Sequence, residues 1–113
     1  MILNTPLIIE SGISGIWTYR KWSDGTAELW GLTTITSESG QHYYDLNLPF
    51  PIVDLSQWFG VAGLEDYGRG SSNNTTEVGV RLPSSNTIRL HEIKENNYSG
   101  TQPCRVYFKG FWK

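Results

Sequence analysis

The side chains best suited to chemistry in this 113-residue sequence are few, and their spacing argues against several reactions. "HEIKE", residues 91–95, approaches the H-E-x-x-H pattern, in which two histidines on one helix face hold zinc and the glutamate acts as base. Its fifth position is Glu95 instead of histidine, and the segment has strand character. The second histidine, His42, is distant in sequence. Cys104 is the only cysteine, so neither an intrachain disulfide nor a cysteine-based zinc site can form. It begins an alternating apolar run and reads as a small strand hydrophobe. Glu65 and Asp66 are adjacent carboxylates, but adjacent strand residues point to opposite faces. Glycoside hydrolysis instead needs two carboxylates held across one bond. Neither a G-x-S-x-G elbow nor a phosphate-cradling glycine loop is present. The sequence calls for no cofactor and reads as non-enzymatic.

Binding chemistry is better represented. Trp58, Tyr67, Arg69 and Tyr98 are large residues near segments rich in Gly, Asn and Ser. Guanidinium and amide groups can hydrogen-bond sugar hydroxyls, and an aromatic ring can lie under the apolar face of the sugar. A formal net charge of −2 lacks the basic footprint that nucleic acid requires. No basic amphipathic segment suits a membrane surface, and no apolar run is long enough for a membrane-spanning helix. "MILNTPLIIESG" is apolar but carries Glu10 and lacks a basic start, so it is not read as a signal peptide. Sequons at Asn73, Asn74 and Asn97 are read as chance clusters in loops.

The elements that must hold these residues are strands. Ala occurs only at positions 27 and 62, and no segment keeps a helical apolar period. Thr, Val, Ile, Trp and Tyr are frequent, with Gly and Asn between them. Strands are expected near 6–10, 16–22, 26–36, 42–48, 58–64, 76–82, 87–94 and 104–111. "NLPFPIV" reads as a strand end followed by a corner, because proline removes a ladder donor. Residues 67–76 and 94–103 read as the long loops. Eight short strands in one domain, residues 1–113, predict an all-β antiparallel sandwich or barrel.

"GIWTYRKWSDGTAELWG", residues 15–31, predicts a hairpin in which a two-residue Asp24-Gly25 turn sets the register. That register opposes Lys21 to Glu28 and Tyr19 to Trp30. Trp17, Tyr19 and Trp30 then share a face, which reads as packing against a second sheet or another subunit, or as a sugar-stacking platform.

"SGISGIWTYRKWSDGTAELWG" resembles the lead hairpin of C-terminal domains in tail-fibre and minor structural proteins of phages and prophages of Gram-positive bacteria. "YYDLNLPFPI" and the closing "RVYFKGFWK" resemble later strands of those domains and come in the same order. The layout is also similar to H-type lectins, small antiparallel β-sandwiches that assemble as trimers and bind sugars. The resemblance implies a β-sandwich forming a homotrimer at the tip of a longer fibre. A shaft would precede it, and Met1 would not be the natural start. It implies a virion protein, encoded by a phage or prophage, that binds host-surface polysaccharide non-covalently. Matching the lectin pattern, Arg81 and the loop residues Asn96, Asn97 and Tyr98 would contact sugar, with Asp24 as the acidic residue near the first hairpin. Tyr67 and Arg69 join this candidate site from the other loop. "ENNYSG" stands where the lectin loop carries a Trp-His pair. Two other readings compete: a trimerising cap without a ligand site, and an accessory domain of a depolymerase.

Overall fold

A computed structural model describes residues 5–37, 40–64, 76–94 and 100–113. Eight strands follow in order: β1 (Ile8–Ser14), β2 (Trp17–Trp22), β3 (Thr26–Ser37), β4 (Gly40–Asn47), β5 (Trp58–Leu64), β6 (Thr76–Ser84), β7 (Thr87–Lys94) and β8 (Gly100–Phe111). They form two antiparallel sheets, one ordered β1-β2-β3-β8-β5 and the other β4-β7-β6. The expected strands are present. β1 lies a few residues later than the sequence suggested, and β8 begins at Gly100, inside the segment expected to be loop. Pro103 is accommodated within β8 opposite Thr34.

Alternation along each strand sends every second side chain between the sheets. The five-stranded sheet contributes Trp17, Leu29, Ile35, Cys104, Val106 and Phe108; the three-stranded sheet contributes Ile88 and Leu90. Each fully buried side chain of this kind stabilises the fold by about 1.5–3 kcal/mol. Cys104 is in this core, as its place in the alternating run suggested, and burial pushes its thiol up to about 11.

The two sheets are joined by the proline-containing corner. Leu48 N–H donates to the Asn86 carbonyl at 2.8 Å, Ile52 N–H to Ser85 and Val53 N–H to Phe111, each also at 2.8 Å. The buried Ile52 and its neighbour Val53 therefore tie the β6–β7 turn to the end of β8. At the other contact between the sheets, Gly60 of β5 leaves room for Val80 of β6. A Cβ on Gly60 would come within 2.8 Å of the Val80 side chain.

The first hairpin departs from the expected register by one residue. Lys21 pairs with Ala27, Arg20 with Glu28, Tyr19 with Leu29 and Trp17 with Gly31. The cause is a loop of three residues instead of two. Gly25 N–H donates to the Trp22 carbonyl at 3.0 Å, and Gly25 then takes φ +93°, open to glycine without strain. Asp24 fixes this turn by accepting from the Thr26 N–H at 2.9 Å and its hydroxyl at 2.6 Å.

A one-residue slip moves one strand's side chains to the other face relative to its partner. The expected Trp17–Tyr19–Trp30 cluster is therefore divided. Trp17 and Tyr19 turn inward, and Trp30 faces outward. The expected Lys21–Glu28 pair is likewise absent. Lys21 lies 3.3 Å from Glu10, with its ammonium over the rings of Phe50 (4.5 Å) and Trp112 (4.9 Å).

Candidate functional site

The outward faces of the two sheets differ in chemistry. On the five-stranded sheet, the register aligns Thr18, Trp30, Tyr107 and Val61 in one row across β2, β3, β8 and β5. The adjacent row is Arg20, Glu28, Lys109 and Phe59. Trp30 is 36% exposed and Phe59 57%. Trp30 and Tyr107 pack with centroids 5.7 Å apart, and Arg20 lies 5.5 Å from the Trp30 ring. A shallow groove of about 470 Å³ opens over Ile16, Trp30, Leu32, Val61 and Tyr107. Glu28 anchors the aromatic side chains around it. It accepts from the Trp22 indole at 3.1 Å and from the Tyr107 hydroxyl at 2.7 Å. Partial burial, and then this bond, push the Tyr107 phenol up to about 12.

The outward face of the three-stranded sheet is polar and aromatic. One row is Asp45–Arg89–Arg81 and the next is Tyr43–His91–Gly79, each read from β4 through β7 to β6. Tyr43, 54% exposed, stacks on His91 with centroids 4.6 Å apart and planes at 24°. His91 Nε2 lies 3.1 Å from Gln41 Oε1, which fixes the ring from its far edge. Arg89 grips Asp45 through two bonds, Nε to Oδ1 at 2.8 Å and Nη2 to Oδ2 at 3.1 Å. The guanidinium holds the Asp45 carboxyl below the usual range and lies 5.4 Å from the Tyr43 ring. An exposed ring beside planar donors and acceptors is the chemistry by which sugars are held. Among the described residues, no group of three or more His, Cys, Asp or Glu is placed to hold a metal ion.

Arg81, named from sequence, is exposed on this face. Asp24 is in the β2–β3 turn of the other sheet, with its carboxylate engaged by Thr26, so the structure does not bring the two together. Asn96, Asn97, Tyr98, Tyr67 and Arg69 lie outside the described residues. Trp58 stacks against the core residue Phe108 at 5.6 Å. Sequence reasoning did not join Gln41, Tyr43, Asp45, Arg89 and His91 into one face. Their signal was present in the alternation of "QHYYDLN" and "TIRLHEIK". Each places polar or aromatic residues on one face, but only the pairing of β4 with β7 shows that the faces coincide.

No protein-family model and no curated protein matches the sequence. Solved structures do match. The R1 pyocin fibre of P. aeruginosa, in a form comprising its C-terminal residues, aligns with 91% of this chain at TM-score 0.65 and 15% identity. This chain spans 28% of that one. An N-truncated R1-type pyocin tail fibre aligns over 91% of this chain and 87% of its own length, at TM-score 0.63 and 15% identity. The corresponding R2 pyocin fibre of P. aeruginosa aligns over 87% of this chain and 25% of its own, at TM-score 0.56 and 15% identity. The chain is thus similar in fold to the C-terminal region of R-type pyocin tail fibres.

Proposed function

We propose that this chain is the receptor-binding domain of a phage or phage-like tail fibre, that it assembles as a homotrimer, and that it recognises a host-surface saccharide without covalent chemistry. The observation that carries this reading is the tail-fibre fold, matched over 91% of the chain. Two of the solved fibres, of R1 and R2 pyocins, come from P. aeruginosa, whereas the hairpin resembles phage proteins of Gram-positive bacteria; the element common to both is the tail fibre.

The two outward faces support a division of labour. The Trp30–Tyr107–Val61 row, bordered by Phe59, suits a contact between copies of the chain, since aromatic residues in such positions dominate interface energetics. The protomer is also elongated, with a radius of gyration of 16.3 Å. A compact domain of this length would have about 13 Å. The polar and aromatic face around Tyr43 is on the opposite side, where ligand can reach it. Single saccharide sites bind weakly, and three linked copies raise the avidity.

The test is adsorption of the labelled domain to bacterial cells, with extracted surface polysaccharide as competitor. The reading predicts saturable adsorption that the polysaccharide abolishes. A trimer that adsorbs to no cell surface points to a capping module instead. Release of reducing ends from the polysaccharide points to a depolymerase.

A further inference from the structure

We propose that the notch at Gly79, between His91 and Arg81, is a subsite for a saccharide bearing an acidic group, either a carboxylate or a phosphate. This inference rests on the saccharide-binding reading above and gives it a place and a ligand class.

Three observations lead to it. First, Arg81 and Arg89 are direct partners across β6 and β7. Like charges directly opposite each other weaken a sheet. Asp45 compensates Arg89, and Arg81 has no ion-pair partner among the described residues. Among the described residues, the pair therefore keeps one positive charge without an ion-pair partner on an exposed face, where an anion would relieve the repulsion.

Second, the middle row ends in a residue without a side chain. Gly79 is the partner of His91, and a Cβ built on it meets no atom of the described residues within 4 Å. Its φ is not in the left-handed region, so backbone conformation does not require glycine here. The absence of a side chain opens a space beside the imidazole. Arg81 is two residues along the same strand and faces the same way.

Third, the wall of this notch is held upright. Tyr43 stacks on one face of His91, and Gln41 meets its Nε2 atom. β6 flanks β7 on the side away from Tyr43, and it sets the bare backbone of Gly79 opposite His91. A sugar ring in the notch packs against imidazole, and its acidic group meets the Arg81 guanidinium, a donor suited to planar carboxylate and to phosphate.

Three probes test this by calorimetry on the full chain: an oligogalacturonate, a glycerol-phosphate oligomer and the neutral maltohexaose. At least one anionic probe is expected to bind about tenfold or more tightly than maltohexaose, as a charge-assisted contact implies. Which of them binds identifies carboxylate or phosphate. Gly79→Val fills the notch with a strand-favouring residue and is expected to abolish that binding with the melting temperature kept or raised. Arg81→Met is expected to remove the anionic preference without lowering the melting temperature, since it also removes the opposed charge. Equal binding of anionic and neutral probes, or binding unaffected by Gly79→Val, overturns the subsite. So does a domain that adsorbs to cells yet binds neither anionic probe. Loss of cell adsorption altogether refutes the reading beneath it.

Discussion

The indole of Trp17 lies against Gly31, its cross-strand partner, and donates its N–H to the Asn47 carbonyl at 2.7 Å. One side chain thereby fills the core above β3 and ties the end of β4 to the five-stranded sheet. A Cβ on Gly31 would come within 2.7 Å of the indole ring. Gly31→Ala is expected to cost about 1–3 kcal/mol through overpacking. Trp17→Phe keeps a ring but leaves the Asn47 carbonyl without this donor, at about 1 kcal/mol beyond the packing loss. Trp17→Ala should cost about 3–5 kcal/mol. Urea unfolding measures all three, and a neutral Gly31→Ala would contradict the packing described.

The β2–β3 turn yields a second expectation. Gly25 has φ +93°, and a Cβ there would be 3.0 Å from the Lys113 carbonyl oxygen. Gly25→Ala should cost about 1–3 kcal/mol from backbone strain. Asp24→Ala removes the acceptor for Thr26 and should lower the melting temperature while leaving cell adsorption intact. If adsorption is lost in a folded Asp24→Ala protein, Asp24 contacts ligand as the lectin resemblance implied.

Alkaline stability follows from Tyr107 and Cys104. Both are pushed up, the phenol to about 12 from 10.0 and the thiol to about 11 from 9.0, each chiefly by burial. The folded state thus holds these protons more tightly than the unfolded state. Their contribution is complete below pH 9 and declines as pH rises to about 12. Melting temperature should fall across that window, and Tyr107→Phe should flatten the upper part of the fall. The buried thiol should also resist iodoacetamide at pH 8 until the protein is unfolded. Rapid alkylation of the native protein would contradict the placement of Cys104 in the core.

The outward row of the five-stranded sheet makes its own prediction. Trp30→Asp puts a charge at its centre and should weaken self-association by about 2 kcal/mol or more. Trp30 is only partly buried in the protomer, so circular dichroism should report an intact fold. Dynamic light scattering over a dilution series measures the change, and a variant that associates as tightly as the parent would remove Trp30 from the interface.

Much of the strand order was legible because alternation and turn residues are local. Alternation in "WFGVAGL", the prolines of "NLPFPIV" and the apolar register of "CRVYFKGF" each marked an element correctly. The hairpin register was not legible. Ser23-Asp24-Gly25 and Asp24-Gly25 are both plausible loops, and the choice between them depends on a glycine φ and on the Trp112 N–H that reaches the Gly25 carbonyl at 2.9 Å. That single residue of slip separated Trp30 from Trp17. The Tyr43–His91 stack was illegible for a different reason: the two residues are 48 positions apart in sequence, and only sheet pairing brings them together. Arg81 was named through family resemblance alone, and its neighbours on this face could not be named that way.

In the proposed assembly the apolar outward face joins copies of this chain and leaves the Tyr43 face open to a ligand. Light scattering behind a sizing column gives the solution mass of that assembly. A mass three times that of the 12.8 kDa chain is expected. A single-chain mass that does not rise with concentration would contradict it.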